Sequence, residues 1–377
     1  MTTSHSPEPR VTPEPRILHH VFGPAPGPTV ISVVALHGNE RAGIAAVRRV
    51  ADQVPALERG EWMALTGNRT ATAMGVRFLD RDLNRRWSDA SRASTGAAED
   101  REQHELREAL DAAFARARGP VYLIDLHTTS GPGNPFTVFA DTLRCRDAAH
   151  ALPIPMILGL DEHLDGTLVD YVAGLGHAAV AVEGGAHTDP DAPATLEAAV
   201  LLTLHATRLL DPLTHSPESS RTRLRRDAHS IPQVLEVRHR HAVAAGDAFH
   251  MHAGFASFDQ VRAGQLLARD RRGEIHAPMS GHLLMPLYQA QGDDGFFVVR
   301  AVWRGWLAMS RVLRNAGGDR IVPYLPGVRR TADPGVYLVD RRIARWGALE
   351  VMHLLGYRRE DDEGRVLRVR RRKHDPL

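Results

Sequence analysis

The feature that most constrains the fold is a series of short apolar runs without regular polar–apolar alternation. TVISVVALHG, at residues 29–38, is rich in β-branched residues, as is typical of a strand buried on both faces. Similar runs recur along the chain, and stretches with helical periodicity separate them. They predict further strands at 61–67, 121–127, 136–141, 155–160 and 177–185, and helices at 42–54, 95–118 and 192–211. Strands that alternate with helices indicate an α/β fold with a largely parallel sheet.

Changes of composition along the chain predict five segments. Residues 1–16 are polar and rich in proline, and we expect them to form a disordered arm. An α/β domain then extends over 17–213, and a polar, helix-poor linker over 214–227. Short strands separated by glycine turns predict a compact β domain over 228–310. A C-terminal extension follows at 311–377, with one helix and a basic tail that we expect to be a solvated end.

Composition and charge narrow the classes of function. The chain has 47 lysine and arginine residues against 45 aspartate and glutamate residues, so its net charge of +2 gives no reason to expect nucleic-acid binding. Cys145 is the only cysteine, which excludes an internal disulfide and a cysteine-rich zinc cluster. The sequence shows neither a signal peptide nor an apolar run long enough to span a bilayer. We therefore expect a cytoplasmic protein without a membrane partner, in which any metal site would use histidine and carboxylate groups.

Histidine and glutamate residues follow three of the predicted strands at the points where the strands end. His37 and Glu40 come after the first strand with the spacing H-x-x-E, His127 ends VYLIDLH, and Glu183 ends AVAVE. Ligands of open α/β sheets bind outside the carboxyl ends of the strands. A catalytic zinc ion takes three protein ligands and one water. The pattern predicts one Zn²⁺ per chain, held by His37, Glu40 and His127. Capping of helices by polar groups at strand ends would explain one of these residues, but not all of them.

Two features near these strand ends have two interpretations each. Asp125 precedes His127 by two residues, and is either a partner of that histidine or an ordinary strand residue. GVRFLDRDLNRRW, at residues 75–87, is rich in arginine and aspartate, and such a run is usually a solvated loop. An acyl-transfer site, however, needs fixed cations for a developing oxyanion and for a substrate carboxylate. The loop is therefore either a solvated surface or a wall of the site.

The motifs HGNE, R-x-x-D-x-D-L-N-R, DLH and VEGG occur in this order, and together they resemble the succinylglutamate desuccinylase/aspartoacylase family, which is related to zinc carboxypeptidases. The resemblance covers roughly residues 29–310 and is strongest over 29–190. It implies an α/β fold with a zinc-carboxypeptidase-like mixed sheet flanked by helices. It also implies that the smaller β domain resembles a barrel-sandwich hybrid.

The resemblance implies a role for each matched residue. The three ligands named above would bind Zn²⁺, Glu183 would be the general base, and Arg77 would stabilise the tetrahedral oxyanion. Asn84 and Arg85 would hold the α-carboxylate of the amino-acid product. Tyr288 aligns loosely with a tyrosine that contacts substrate in the family, and the alternative is a tyrosine in a surface turn.

The implied activity is that of a zinc-dependent amidohydrolase, a deacylase that removes a short acyl group from an N-acyl amino acid or a related amine. The partner would be this small-molecule substrate, and the oligomeric state, a homo-oligomer included, stays open. A metallocarboxypeptidase that acts on short peptides, or a non-catalytic metal-binding protein on the same fold, is the alternative. One departure bears on the substrate. Ala173 stands where aspartoacylases have an arginine that binds the side-chain carboxylate of N-acetylaspartate, so this substrate is not expected.

Overall fold

The computed structural model describes residues 13–88, 96–244, 246–344 and 348–375. Its largest element is a mixed sheet of eleven described strands. Their spatial order is β1 (Ile17–Phe22), β3 (Arg59–Thr66), β2 (Ala25–Val34), β4 (Val121–Thr129), β7 (Ala178–Ala186), β5 (Phe136–Val138), β6 (Met156–Leu158), β8 (Val234–Ala242), β14 (Asp294–Ala301), β13 (Gly281–Leu284) and β10 (Gln260–Val261). Strand β2 runs parallel to β3 and β4, and β4 runs parallel to β7. The predicted α/β fold with a large mixed sheet is confirmed.

Helices cover both faces of the parallel part of this sheet. The described helices are α1 (Ala42–Gln53), α2 (Arg69–Met74), α3 (Ala98–Arg116), α4 (Leu143–His150), α5 (Leu168–Gly174), α6 (Ala192–Ala206), α7 (Glu218–Ala228), α8 (Arg304–Asn315), α9 (Arg341–Ala344) and α10 (Ala348–Leu354). Val30 and Val34 of β2 pack in one core with residues of α1 and α6, whereas Ile31 and Val33 pack in a second core with residues of α3 and α5. Because both faces of β2 are buried, its sequence shows no alternation.

The segment predicted as a helix-poor linker, 214–227, is mostly helical in the structure. It forms most of helix α7, which packs against α6. Leu224 is fully buried, while its neighbours on the helix are mostly arginine, serine and threonine. One apolar anchor among polar residues gives too weak a periodicity to predict a helix. Strand β8 then pairs in parallel with β6, so the α/β part and the β domain share one continuous sheet.

The β domain and the C-terminal extension each add a small antiparallel sheet. In the β domain this sheet consists of β9 (His250–Met251), β11 (Leu266–Asp270) and β12 (Gly273–His276). In the extension the spatial order is β15 (Val328–Arg330), β16 (Val336–Asp340), β18 (Val366–Arg371) and β17 (Tyr357–Glu363). Where one helix and a solvated basic tail were predicted, the structure has two described helices, α9 and α10, besides the end of α8, and the tail forms β18. Leu367 and Val369 of β18 are buried on either side of Arg368, a period of two that the prediction from the tail's charge did not use.

The predicted arm at 1–16 lies mostly outside the described residues. Its last residues are attached to the fold, since the Thr66 hydroxyl donates a 2.8 Å hydrogen bond to the Pro15 carbonyl and Arg16 pairs with Glu102. Among the described residues, no helix is both long and apolar enough to cross a membrane.

Candidate metal centre

Three neighbouring parallel strands place the predicted ligands at one edge of the sheet. His37 lies just beyond the end of β2, and Glu40 lies two residues before α1 begins. His127 lies near the end of β4, directly opposite Glu183 of β7 in the strand register. The turn between His37 and Glu40 passes close to α2, and a side chain in place of Gly38 would overlap the backbone of Ala71. Glycine therefore permits the approach that brings the H-x-x-E turn over the strand ends.

The side chains of His37, Glu40 and His127 converge in a buried cluster. Ligand atoms of the three residues all lie within 4.8 Å of one another. Nδ1 of His37 lies 2.7 Å from Oε1 of Glu40, and Nδ1 of His127 lies 2.9 Å from Oε2. The backbone amide of Thr128 donates a 3.0 Å hydrogen bond to the same Oε2. The two rings thus present the same nitrogen to one carboxylate that is itself held in place.

Two aspartates hold the opposite nitrogens of these histidines. Nε2 of His37 lies 3.0 Å from Oδ1 of Asp82, and Nε2 of His127 lies 2.8 Å from Oδ2 of Asp125. A carboxylate behind a histidine fixes the orientation of the ring and leaves the other nitrogen available to a metal ion. Of the two interpretations of Asp125, this placement favours the partner of His127.

Three carboxylates, those of Glu40, Asp82 and Asp125, surround the two histidines, with one arginine, Arg77, beside them. Burial alone would raise the pKa of Glu40, but the imidazoles of His37 and His127 outweigh it and hold the pKa well below its usual range. Burial alone would lower the pKa of His127, yet Asp125 and Glu40 hold it well above its usual value. The cluster therefore favours a positive charge at the point where the ring nitrogens meet Glu40. A divalent cation supplies that charge while the histidines bind it in neutral form.

Glu183 lies beside the cluster and is mostly buried, at 8% exposure. Within the described part of the chain, its Oε2 has no hydrogen-bond partner. Burial raises the pKa of Glu183 to about 7, against the opposing effect of His127. A buried carboxylate with one unpartnered oxygen and a pKa near neutrality is suited to accept and release a proton.

Arg77 links the charged loop to the cluster. Its guanidinium donates a 2.9 Å hydrogen bond to Oδ2 of Asp82, and its other terminal nitrogen lies 3.5 Å from Oε1 of Glu40. The loop at 75–87 is therefore not simply a solvated surface, and it lines the pocket through Arg77, Asn84 and Arg85.

Asn84 and Arg85 lie farther along the same pocket, and each is fixed by the protein. The Oδ1 atom of Asn84 accepts a 2.9 Å hydrogen bond from the backbone amide of Leu168. Arg85 donates a 3.0 Å hydrogen bond to Asp294, which also accepts a 2.6 Å hydrogen bond from Arg240. Sequence reasoning missed Asp294, although the acidic turn GDDG before a strand was a visible signal.

The structure places Tyr288 outside this pocket. Its hydroxyl donates to the backbone carbonyl of His252 at 2.8 Å and accepts a 3.1 Å hydrogen bond from the backbone amide of Phe255. Its neighbours Leu287 and Gln289 line the pocket instead. The contacts of its hydroxyl therefore direct Tyr288 into the β domain. Contact between Tyr288 and substrate is not supported by this arrangement.

Residues 26–209 match the family model of the succinylglutamate desuccinylase/aspartoacylase catalytic domain. The chain therefore contains a catalytic domain of the succinylglutamate desuccinylase/aspartoacylase type. The resemblance inferred from the four motifs is thereby confirmed. This is a family of acyl-amino-acid amidohydrolases, and all the predicted ligands, Glu183, Arg77, Asn84 and Arg85 lie within the matched residues.

A curated relative and several solved structures are similar to this chain. An N-acyl-aromatic-L-amino acid amidohydrolase (carboxylate-forming) of Xenopus tropicalis is 32% identical over 114 residues, which is 29% of this chain and 37% of the relative. The succinylglutamate desuccinylase/aspartoacylase structure from Rhodobacter sphaeroides has a TM-score of 0.57 at 18% identity, covering 76% of this chain and 88% of the other. Murine aminoacylase 3 has a TM-score of 0.52 at 17% identity, covering 74% and 96%. The structural neighbours show the same fold.

Proposed function

We propose that this chain is a zinc-dependent amidohydrolase that removes a short acyl group from an N-acyl amino acid or a related amine. The observation that carries the proposal is the buried cluster of His37, Glu40 and His127 with Glu183 beside it. The proposal includes the finer fold assignment, a zinc-carboxypeptidase-like sheet followed by a β domain of the barrel-sandwich-hybrid type.

The residues of the cluster fit one zinc ion per chain. Two imidazole nitrogens and a carboxylate oxygen are a common ligand set of catalytic zinc, and they leave a position open for water or substrate. The excess of carboxylates around the cluster, described above, favours a divalent cation over a neutral group. When bound, zinc supplies Lewis acidity toward a substrate carbonyl and toward water.

Glu183 carries the proton transfers. Its unpartnered Oε2 takes a proton from the water that attacks the scissile carbonyl carbon, and the C–N bond then breaks as the same proton passes to the departing amine nitrogen. The products are a carboxylic acid and an amine, the acid then ionises by giving its remaining proton to the amine, and Glu183 ends ionised as it began. Arg77 lies close enough to the cluster for its guanidinium to stabilise the negative charge that develops on the carbonyl oxygen.

Asn84 and Arg85 hold the α-carboxylate of the amino-acid part of the substrate. Arg85 offers a planar, two-pronged set of donors, which matches a carboxylate. Asp294 orients this guanidinium from the side of the β domain. Because Met285, Leu287 and Asp294 of the β domain also line the pocket, its mouth is partly covered. This cover favours a small substrate over a peptide.

The rest of the lining is mostly apolar and supports an apolar group on the substrate. Val138, Leu160, Leu164 and Val169 line the pocket together with Met285. The name of the Xenopus relative states that it acts on N-acyl-aromatic amino acids, which agrees with an apolar pocket. Hydrolysis of N-acetyl and N-succinyl amino acids should be measured beside hydrolysis of short peptides. Cleavage of peptides alone would replace our proposal with a carboxypeptidase, and no hydrolysis by the zinc-loaded protein would favour a binding protein.

Arg85→Met should raise KM for N-acyl amino acids by about 10- to 100-fold, because a hydrogen bond between charged groups contributes roughly 1.5–3 kcal/mol. The effect on kcat should be smaller, since the carboxylate lies away from the reacting bond. Arg240→Met is the matched control, because Arg240 pairs with the same Asp294. Steady-state kinetics with a substrate and its carboxamide analogue measure the effect. An equal loss for both substrates would contradict the assignment of Arg85.

A further inference from the structure

One wall of the pocket is formed by a short segment with little regular structure. Residues 160–169 comprise a 3₁₀ turn, Leu160–Glu162, a loop, and the start of α5. Leu160, Asp161, Leu164 and Val169 of this segment line the pocket. We call residues 160–169 the pocket wall. Since a loop has few backbone hydrogen bonds of its own, its position depends on what packs behind it.

The C-terminal extension contacts the pocket wall from behind. Arg372, which follows β18, lies 2.6 Å from Oδ2 of Asp161, and both side chains are at most 5% exposed. From β17, Arg359 donates a 3.1 Å hydrogen bond to Nδ1 of His163. Arg358, also in β17, donates a 2.7 Å hydrogen bond to Asp170, which directly follows the wall.

The extension is itself anchored to the α/β part of the chain. Arg314 of α8 is 1% exposed and lies 2.9 Å from Asp141, which follows β5. Its other terminal nitrogen lies 2.8 Å from Asp375, and Asp375 accepts a 2.9 Å hydrogen bond from the backbone amide of Leu143 at the start of α4. The extension is thus tied to the α/β part by contacts outside the wall and can serve as its support.

We propose that the C-terminal extension is a specificity element that holds the pocket wall in place through the Arg372–Asp161 pair, and so sets the size of the apolar group that the pocket accepts. Arg372 is a positioning residue that acts through Asp161. Removal of one partner of a buried pair leaves an uncompensated charge, which the structure relieves by moving it toward water. Movement of Asp161 would carry Leu160 and Leu164 with it. The substrate part of this proposal rests on the function proposed above, but the support of the wall does not.

Hydrogen–deuterium exchange of the full-length protein tests the support without any substrate. In Arg372→Met, amides of residues 160–170 should exchange at least about tenfold faster than in the wild type, while amides of β4 and β7 keep their protection. Arg358→Met should have the same effect to a smaller degree. Because the Arg358 side chain is 30% exposed, its replacement should be tolerated, so this variant provides the test if Arg372→Met does not fold. Unchanged exchange of the wall in both variants would overturn the proposal.

The specificity for the size of the apolar group is tested by steady-state kinetics. The substrates are N-acyl amino acids whose apolar group grows by one methylene at a time. In an apolar pocket, one methylene group changes kcat/KM by roughly tenfold or more. Arg372→Met should reduce this ratio between successive substrates to about threefold by raising KM. The kcat for the smallest substrate should change little. Arg372→Lys should restore part of the discrimination, because it keeps a positive charge beside Asp161. Arg368→Met is the matched control, since Arg368 lies on β18 and pairs with Asp333 of the extension.

The outcomes separate this proposal from the proposed function. Faster exchange of the wall with unchanged discrimination would limit the extension to a structural role and overturn the specificity. A proportional loss of kcat for all substrates in Arg372→Met, without rescue by Arg372→Lys, would do the same. If the wild type hydrolyses no N-acyl amino acid, the proposed function fails, and the exchange experiment still decides whether the extension supports the wall.

Discussion

Glu183→Gln should lower kcat by about 10²- to 10⁴-fold, the usual contribution of a general base, while metal content stays that of the wild type. Glutamine has the size and shape of glutamate, so the packing of this mostly buried residue is kept. The amide of glutamine cannot accept a proton from water. Oε2 of Glu183 has no described hydrogen-bond partner, so an amide nitrogen at this position breaks no hydrogen bond. The cluster of His37, Glu40 and His127 is not altered, so metal should still bind.

Glu61→Gln is the control for this substitution. Glu61 is a buried glutamate of β3 that pairs with Arg116, and it does not line the pocket. Its loss should lower stability but leave kcat within about twofold of the wild type, as for a site away from the chemistry. Metal analysis and steady-state kinetics on both variants give the comparison. Turnover of Glu183→Gln near the wild-type rate would show that another group is the base.

The pH dependence of kcat should also identify Glu183 as the general base. A base must be ionised, so the rate should fall as pH falls through the pKa of Glu183. Burial raises this pKa to about 7, and a cation bound at the cluster lowers it, so the acidic limb should lie below pH 7. The limb should disappear from the residual activity of Glu183→Gln. An acidic limb that persists unchanged in that variant would assign the titration to another group.

The convergence of the candidate ligands could be predicted from the sequence because each lies at or just after the end of a strand that local patterning reveals. Once β2, β4 and β7 are known to be parallel neighbours, their carboxyl ends must meet at one edge. His127 and Glu183 are then brought together by register alone. The charged loop at 75–87 was ambiguous because a run of arginine and aspartate looks the same whether it is solvated or turned inward. Its contacts with Glu40 and Leu168 depend on the tertiary fold.

The features that could not be predicted from the sequence depend on contacts between distant segments. Asp294 and Arg85 are 209 residues apart, and no local pattern indicates their pairing. The support of Asp161 by Arg372 is of the same kind, and the basic character of the tail made a solvated end the simpler expectation. The prediction for Tyr288 depends on a loose alignment, and such an alignment cannot decide which of several neighbouring side chains enters the pocket.

Removal of metal by a chelator should abolish activity and lower the melting temperature. The loss of rate should exceed about 100-fold, since a bound metal contributes several kcal/mol to transition-state stabilisation. Without a cation, Arg77 and protonation of His127 leave one unbalanced negative charge among Glu40, Asp82 and Asp125. A ligand present at about 1,000 times its Kd stabilises the folded state by about 4 kcal/mol, so the melting temperature should fall by several degrees. Addition of one equivalent of Zn²⁺ should restore both properties.

Single substitutions should localise this effect to the cluster. His37→Ala and His127→Ala should each reduce bound metal to a small fraction of one ion per chain, whereas Asp125→Asn should weaken metal affinity by about 10- to 100-fold, because the aspartate only orients its histidine. His187→Ala is the matched control: His187 lies beside the cluster, 2.7 Å from the Thr128 hydroxyl, but belongs to no ligand group among the described residues. It should keep its metal. Elemental analysis and a competition assay with a chelator measure these affinities. One metal ion per chain retained in both His37→Ala and His127→Ala would place the metal elsewhere, and the proposed role of the cluster would be lost with it.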